Sequence, residues 1–508
     1  MSAVIDGGSH EFDAAALRLL DQFAAMRVCV VGDAMLDIYL EGGAARLSPE
    51  APVPVVDLRH DRACGGGAAN TALNVMALGA RVELIGCVGD DVAGARLHDL
   101  LMAEGVDVRG LLEVPGRTTL TKSRVVADGQ LLLRMDGGTT DGPPLLVQQA
   151  LLANIERALD TCDLVLFSDY GYGVLSDAVV MQLVRHAERR ATVAIDSKDL
   201  RRFARLLPDA VKPNHRQAIQ LAGPREATLA DADRYAQVLA LEQSLRAATG
   251  ARLVAVTLDS DGAIVFGPDF EVVRTKAAEV ATAHPAGAGD TYFATLALAL
   301  AAGGASAPAA RLAAAAASIV VRSPRTDACR PDQLRQGLVR TAKVVPDLDA
   351  LTTLVRRART TGQRVVLTNG CFDLLHAGHV AYLASARQLG DLLVVALNTD
   401  AGVRRLKGPE RPVNTFDDRA AVLAALESVD LVVAFDEPTP ELVVRAVEPD
   451  IFAKGGDYTR ETLPEADAVE ELGGRVELIR FEPDRSTTAT IQRIRARAGD
   501  PGDTTVTA

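Results

Sequence analysis

The run Arg364-Val365-Val366-Leu367-Thr368-Asn369-Gly370-Cys371-Phe372-Asp373-Leu374-Leu375-His376-Ala377-Gly378-His379 sets the reading of the last third of the chain. Its first five residues form a short β-rich stretch, 364–368. Polar residues and a glycine follow, and an amphipathic stretch then covers 377–389. Strand, turn and helix in that order form half of a βαβ unit. The alternation continues outward. Residues 392–397, 431–435, 450–453 and 476–479 read as further strands. Upstream, 27–31, 82–88, 164–168, 193–195 and 253–258 do the same, and a helix is predicted at 177–190. This pattern predicts an α/β protein with mainly parallel sheets, whose ligands gather beyond the carboxyl ends of the strands.

At 508 residues the chain is too long for one ordinary core, so two or three domains are expected. Polar residues with candidate chemistry fall into two groups, one within 32–290 and one within 368–488. Between them, 323–349 is polar and carries Pro324, Pro331 and Pro346. A boundary near 330–345 gives domains at 1–335 and 345–508. The hydrophobic fraction of 48% and charged fraction of 24% suit a globular protein with a sizeable core. A net charge of -13 argues against nucleic acid or an anionic membrane as the main partner, and leaves small molecules.

The six cysteines, Cys29, Cys64, Cys87, Cys162, Cys329 and Cys371, form no C-x-x-C pair and read as reduced thiols. Residues 1–11 lack the apolar core of a signal peptide, and a cytoplasmic protein is expected. The apolar stretch 296–317 is mainly alanine, interrupted by Gly303, Gly304, Pro308 and Arg311. It predicts two packed helices, not a membrane span. The last ten residues, 499–508, are expected to be disordered. The sequence does not fix the oligomeric state, and a homodimer is compatible with it.

In the first group, Gly287-Ala288-Gly289-Asp290 precedes a helical run. Glycines at a helix start let backbone N–H groups close around an anion, and an aspartate there can take the proton of an attacking hydroxyl. An ordinary glycine turn with Asp290 as N-cap would look the same in isolation. Other polar residues recur at strand ends, however: Gly32-Asp33 with Asp37, Gly65-Gly66-Gly67 before Asn70, Ser168-Asp169-Tyr170, Asp196-Ser197-Lys198 and Lys212-Pro213-Asn214.

Together these segments resemble the ribokinase-like sugar kinases. The stretches 30–37 and 48–55 resemble heptose 7-phosphate kinases in particular. The resemblance implies a ribokinase-like domain with Asp290 as catalytic base and Gly287, Ala288 and Gly289 as anion hole. It places Asn214, His215, Arg216 and Gln217 at the ATP site, and Asp37, Gly66, Gly67 and Asn70 on the sugar. The anomeric hydroxyl would be the acceptor.

In the second group, His376 and His379 lie three apart and share a helix face, with Gly378 between them. Two imidazoles at a helix N-terminus suit the α-phosphate of a nucleoside triphosphate. A zinc pair is the competing reading, but Cys371 is the only nearby Cys or His to add a ligand, so no protein metal site is assigned. Lys407 and Arg411 supply mobile cations, and Ser486-Thr487-Thr488 precedes the last helical stretch.

This half resembles the H-x-G-H nucleotidylyltransferases, a Rossmann-like fold. Within them it is similar to the adenylyltransferase half of the bifunctional heptose enzymes, which supply ADP-heptose. The resemblance implies His376 and His379 as catalytic residues. It puts Thr368, Asn369, Gly370, Phe372, Lys407, Arg411, Ser486 and Thr487 on the nucleotide, with ATP as substrate and Mg2+ as cofactor. Spacing alone does not choose ATP over CTP. It also implies that a separate phosphatase acts between the two reactions.

Two segments depart from the kinase pattern. His284-Pro285-Ala286 stands where the family has an acidic residue and a threonine, and Gln217 stands for a glutamate that would hold magnesium better than an amide. The alternative is an active transferase beside a non-catalytic or differently specific sugar-binding domain. Asp290 and the glycine loop argue against it.

Overall fold

The computed structural model describes residues 4–6, 12–186, 189–223, 233–277, 287–322, 328–455 and 459–479. The chain divides into two compact units, Met1–Gly337 and Leu338–Ala508.

In the first unit a ten-stranded sheet runs, in spatial order, β1 (Val4–Asp6), β14 (Val272–Thr275), β13 (Ala263–Phe266), β12 (Leu253–Thr257), β11 (Ala210–Val211), β10 (Thr192–Ser197), β9 (Leu164–Asp169), β2 (Arg27–Gly32), β5 (Arg81–Gly89) and β6 (Leu111–Val114). Every neighbouring pair is parallel except the two that involve β13. The central strands β9 and β10 are apolar and buried through their middles and end in polar residues, as helix-covered parallel strands that lead into a site do.

A second sheet, which sequence periodicity does not announce, orders β4 (Pro54–Gly67), β3 (Ala34–Leu47), β7 (Leu120–Ala127) and β8 (Gln130–Gly137). Its strands are charged and partly exposed, and the short apolar run 131–133 of β8 is itself exposed. We refer to it as the lid sheet.

The second unit holds six parallel strands: β15 (Val344–Val345), β18 (Leu431–Phe435), β17 (Leu392–Asn398), β16 (Val365–Gly370), β19 (Ile451–Gly455) and β20 (Arg475–Ile479). Alternate residues of β16 enter different cores. Val365 and Leu367 pack on one side of the sheet and Val366 on the other, so both faces are covered.

The stretch 296–317 divides between helices Ala288–Ala301 and Ser306–Arg322, broken at Gly303 and Gly304. The helix expected at 177–190 ends at Leu183, because the N–H groups of Arg185 and His186 then bond three residues back, at 2.9 and 3.0 Å. All six cysteines are free. Among the described residues no helix is long and apolar enough to cross a membrane. Residues 499–508 lie outside the described residues.

Candidate active sites

The first site forms at the carboxyl ends of β2, β9, β10 and β11, against two helix N-termini. Helix Ala68–Ala77 begins after Gly67, at φ +56°, where an added Cβ would lie 2.4 Å from the Asp33 carbonyl oxygen. Helix Ala288–Ala301 begins after Gly287, at φ +86°. Such backbone suits glycine, and it turns two helix N-termini toward one place, which favours an anion there.

Asp290 is half-buried in the first turn of the second helix. Asn70 Nδ2 donates to its Oδ2 at 2.6 Å, and the Tyr170 hydroxyl to its Oδ1 at 3.5 Å. Lys212 pairs with Asp196 at 2.9 Å, and a Cβ on Gly289 would lie 3.6 Å from its Nζ, so the ammonium sits against the glycine turn. Burial raises the Asp290 pKa above the usual carboxylate value. Lys212 pulls it back, Asp196 adds to it, and the bonds from Asn70 and Tyr170 oppose it. Burial works to lower the Lys212 pKa, but Asp196 and Asp290 outweigh it and leave it raised. A carboxylate brought nearer the working pH and steered by two donors is placed for proton abstraction.

Two further carboxylates shape this site. Asp33 is fully buried and accepts from the N–H groups of Tyr170, Tyr172 and Val174 at 2.9, 3.0 and 3.2 Å, which pins the loop that delivers Tyr170. Asp37, on β3, lies 3.2 Å from Arg124, and its Oδ1 is buried with no hydrogen-bond partner among the described residues. A Cβ on Gly66 would come within 3.0 Å of that oxygen. Glycine there keeps space beside an acceptor that a sugar hydroxyl could use.

Asn214 and Gln217 form a capping box on helix His215–Ala222. Asn214 N–H donates to Gln217 Oε1 at 2.8 Å, and Gln217 N–H to Asn214 Oδ1 at 2.9 Å. Gln217 Nε2 also donates to the Ser197 carbonyl at 3.2 Å, and the His215 ring is 3.0 Å from Gln237 Oε1. Arg216 lies on the same first turn. His284, Pro285 and Ala286 lie outside the described residues. Tyr170, Lys212 and Asp196 are neighbours of Asp290 that strand-end polarity marks without assigning a role.

In the second unit His376 is the N-cap residue of helix Ala377–Arg387, and His379 lies in its first turn. Their rings stack, with centroids 3.9 Å apart and planes 22° apart, and Phe372 meets His379 edge-on at 5.4 Å. Burial, then His376 and Lys407, lower the His379 pKa to about 4. His379 is therefore a neutral hydrogen-bonding group at pH 7, and positive charge comes from lysines. It lines a cavity of about 500 Å3 together with Asn369, Gly370, Phe372, Lys407 and Lys454. Lys454 Nζ donates to Asn369 Oδ1 at 2.5 Å, and burial lowers its pKa against the opposing pull of Glu465 and Cys371.

Thr368 and Arg411 support this site rather than line the cavity. The Thr368 hydroxyl is buried 2.6 Å from the Tyr382 hydroxyl, which donates to the Ala453 carbonyl. Arg411 pairs with buried Asp373, whose Oδ1 accepts from the N–H groups of Val413 and Asn414 at 2.7 and 3.1 Å. Ser486, Thr487 and Thr488 lie outside the described residues.

Arg419 is a supporting residue that motif reading misses. It is 2% exposed and donates to the carbonyls of Cys371, Asn398 and Asn414 at 2.6, 2.9 and 3.1 Å, and to Asp400 Oδ1 at 2.7 Å. Its phase, four residues before buried Leu423 on helix Phe416–Ala424, is the signal that could have found it.

Residues 25–333 match the model of the pfkB family carbohydrate kinases, and residues 367–496 the Cytidylyltransferase-like model. Relatives span both parts. The bifunctional protein HldE of Mesorhizobium japonicum is 40% identical over 489 residues, which cover 94% of this chain and 97% of that one. The chain belongs to the HldE family of bifunctional proteins. The HldE of Caulobacter vibrioides is 40% identical over 495 residues, 95% of this chain and all of its own length, and that of Halorhodospira halophila is 43% identical over 491. As in other HldE proteins, a carbohydrate kinase and a nucleotidylyltransferase share one chain. Among solved structures, Escherichia coli phosphofructokinase-2 in complex with potassium matches 62% of this chain and 99% of its own, with a TM-score of 0.53 at 19% identity, a likeness of fold.

Proposed function

We propose that the first unit phosphorylates heptose 7-phosphate at its anomeric hydroxyl and the second joins AMP from ATP to heptose 1-phosphate, releasing pyrophosphate. The observation that supports this is that one chain, similar to HldE proteins over 94% of its length, holds two separate constellations, Asp290 bonded to Asn70 in the first unit and the stacked His376–His379 pair in the second.

In the kinase, Asp290 accepts the proton of the anomeric hydroxyl, and Asn70 and Tyr170 hold its carboxylate toward that hydroxyl. Asp37 Oδ1 accepts from another sugar hydroxyl. Backbone N–H groups at residues 287–289, with Lys212, face the transferred phosphoryl group, where charge develops. Mg2+ neutralises phosphate charge when bound. Among the described residues no three His, Cys, Asp or Glu cluster as a metal cage. Bound with ATP, the cation would be held mainly by phosphate oxygens and water, with side-chain oxygens of Asp196 and Gln217 as the protein groups that could add to it.

In the transferase the attacking phosphate is already an anion and needs no base. His376 and His379 hold the α-phosphate while Lys407 and Lys454 supply charge. The reading places both activities in the cytoplasm, where ATP is available. It pairs two copies through the lid face that carries Leu133 and Met135, which are 53% and 45% exposed. Sedimentation of Leu133→Asp against wild type tests that pairing. The activities are tested by supplying each sugar phosphate with ATP and Mg2+ and identifying the products by mass.

A further inference from the structure

Three arginines align across the lid sheet. Tyr39 on β3 pairs in register with Arg62 on β4 and with Arg124 on β7, and Arg124 pairs with Arg134 on β8. Residues directly opposite one another project to the same face of a sheet. The next row inward holds Asp37, Cys64, Lys122 and Asp136, again in register and, two residues away, on that same face. These two rows therefore hold four cations against two carboxylates, with Glu41 and His60 in the next row outward, in a chain whose net charge is -13.

Arg124 and Arg134 lie against Asp37 and Asp136, but Arg62 and Lys122 have no carboxylate partner among the described residues. The Arg62 and Arg124 guanidinium groups lie 4.8 and 5.2 Å from the centroid of the Tyr39 ring, which spaces them on one platform. Among the described residues no carboxylate pairs with Arg62. Arg124 Nη1 lies 3.2 Å from Asp37 Oδ2 yet is buried without a hydrogen bond among the described residues. An unfilled guanidinium donor beside a second, unpaired guanidinium suits a phosphate, which takes planar forks on several oxygens.

The row also sits at a suitable distance from the reaction. The Tyr170 hydroxyl reaches Asp290, and Lys122 lies 5.3 Å from the centroid of the Tyr170 ring. Asp37 shares Lys122's row, and the arginine row is two residues farther along the strand, about 7 Å away. A sugar with its acceptor hydroxyl at Asp290 and a ring hydroxyl on Asp37 would extend its far end toward Tyr39.

We propose that Arg62 and Arg124, spaced by Tyr39 on the inner face of the lid sheet, bind the phosphate that the sugar already carries at the end remote from the acceptor hydroxyl, and so set the kinase's preference for a phosphorylated sugar. Lys122 lies between this clamp and the base, over the sugar. Arg134, paired with Asp136 at 2.9 Å, forms its outer rim. The clamp rests on the kinase reading above and deepens it.

The test compares heptose 7-phosphate with unphosphorylated heptose in the full-length protein, measuring kcat/KM for each in wild type, Arg62→Ala, Arg62→Lys and Arg124→Ala. The ratio of the two values should fall about tenfold or more in either alanine variant, mainly through KM for the phosphorylated sugar, and Arg62→Lys should recover part of it. An equal loss on both sugars, which a damaged fold would give, or an unchanged ratio overturns the clamp while leaving the kinase reading standing. A wild-type protein that phosphorylates no sugar phosphate overturns both.

Discussion

Asn70 donates a 2.6 Å hydrogen bond to the Asp290 carboxylate, and so ties the first turn of one glycine-started helix to the first turn of another. The next residue, Thr291, donates from Oγ1 to Oδ1 of Asn74, one turn beyond Asn70, at 2.5 Å, which repeats the tie deeper in the core. In the kinase reading proposed above, the helix that would border the sugar also holds the base.

That tie predicts the acid limb of the kinase pH profile. Burial raises the Asp290 pKa, and Asn70 opposes the rise by bonding the ionised form. Activity needs the carboxylate ionised, so it should grow as pH rises through the raised value. Asn70→Ala should move this limb to still higher pH, and Asp290→Asn should nearly abolish phosphorylation while adenylyl transfer continues. An acid limb that stays in place in Asn70→Ala removes Asn70 from control of the base.

His379 makes the opposite prediction about charge. With a pKa lowered to about 4, it is neutral in the free protein through physiological pH. A bound triphosphate adds nearby negative charge, favours the protonated ring and moves the value up. NMR titration of the ring should show a midpoint near 4 without nucleotide and a higher one with a non-hydrolysable ATP analogue. His379→Ala or His376→Ala should cut adenylyl transfer by roughly a hundredfold or more, the scale of a lost positioned donor, with the kinase unaffected. A midpoint near 6.5 in the free protein contradicts the neutral reading.

Gln217 binds both Asn214 N–H and the Ser197 carbonyl. Gln217→Glu keeps the first bond and turns the second into repulsion between two oxygens, which leaves a carboxylate oxygen for a hard cation. The variant should reach half-maximal kinase rate at lower Mg2+ than wild type. Superimposable magnesium titrations at saturating ATP and sugar phosphate remove Gln217 from the metal's surroundings.

Arg419 binds four acceptors from separate segments around the transferase cavity. Arg419→Met should strand Asp400 and three carbonyls. It should cost stability on the order of 3–5 kcal/mol in the second unit and lower transferase activity. Arg419→Lys should rescue little, because an ammonium lacks the planar fork that spans these acceptors. Chemical denaturation followed in the second unit provides the measurement.

Much of this was legible in the chain. Apolar strands such as 164–168 and 431–435 announce themselves because they are buried on both faces. Gly287 to Asp290 and His376 to His379 are local motifs, each within one helix start. What periodicity could not show was assembled across distance. Asn70 meets Asp290 from 220 positions away, and the lid strands carry charges in registered rows instead of apolar alternation. Lys212 reads as a polar residue at a strand end until its 2.9 Å partner Asp196 and the glycine turn are seen beside it. The proline-bearing segment pointed to a boundary at 330–345. The contact boundary lies between Gly337 and Leu338, inside helix Pro331–Ala342, and β15 begins one residue before 345. Val344 contributes to that strand, and Lys343 Nζ donates to the Leu426 carbonyl at 3.0 Å, so both belong with a transferase fragment.

One chain should carry two separate activities on two different sugar phosphates. This is tested most directly by incubating the purified full-length protein with ATP and Mg2+ and either heptose 7-phosphate or heptose 1-phosphate, then weighing the products by mass spectrometry. The account predicts a heptose 1,7-bisphosphate from the first substrate, with no ADP-heptose until a phosphatase is added, and ADP-heptose with pyrophosphate from the second. ADP-heptose formed from heptose 7-phosphate by this protein alone, or no bisphosphate from heptose 7-phosphate, would contradict it.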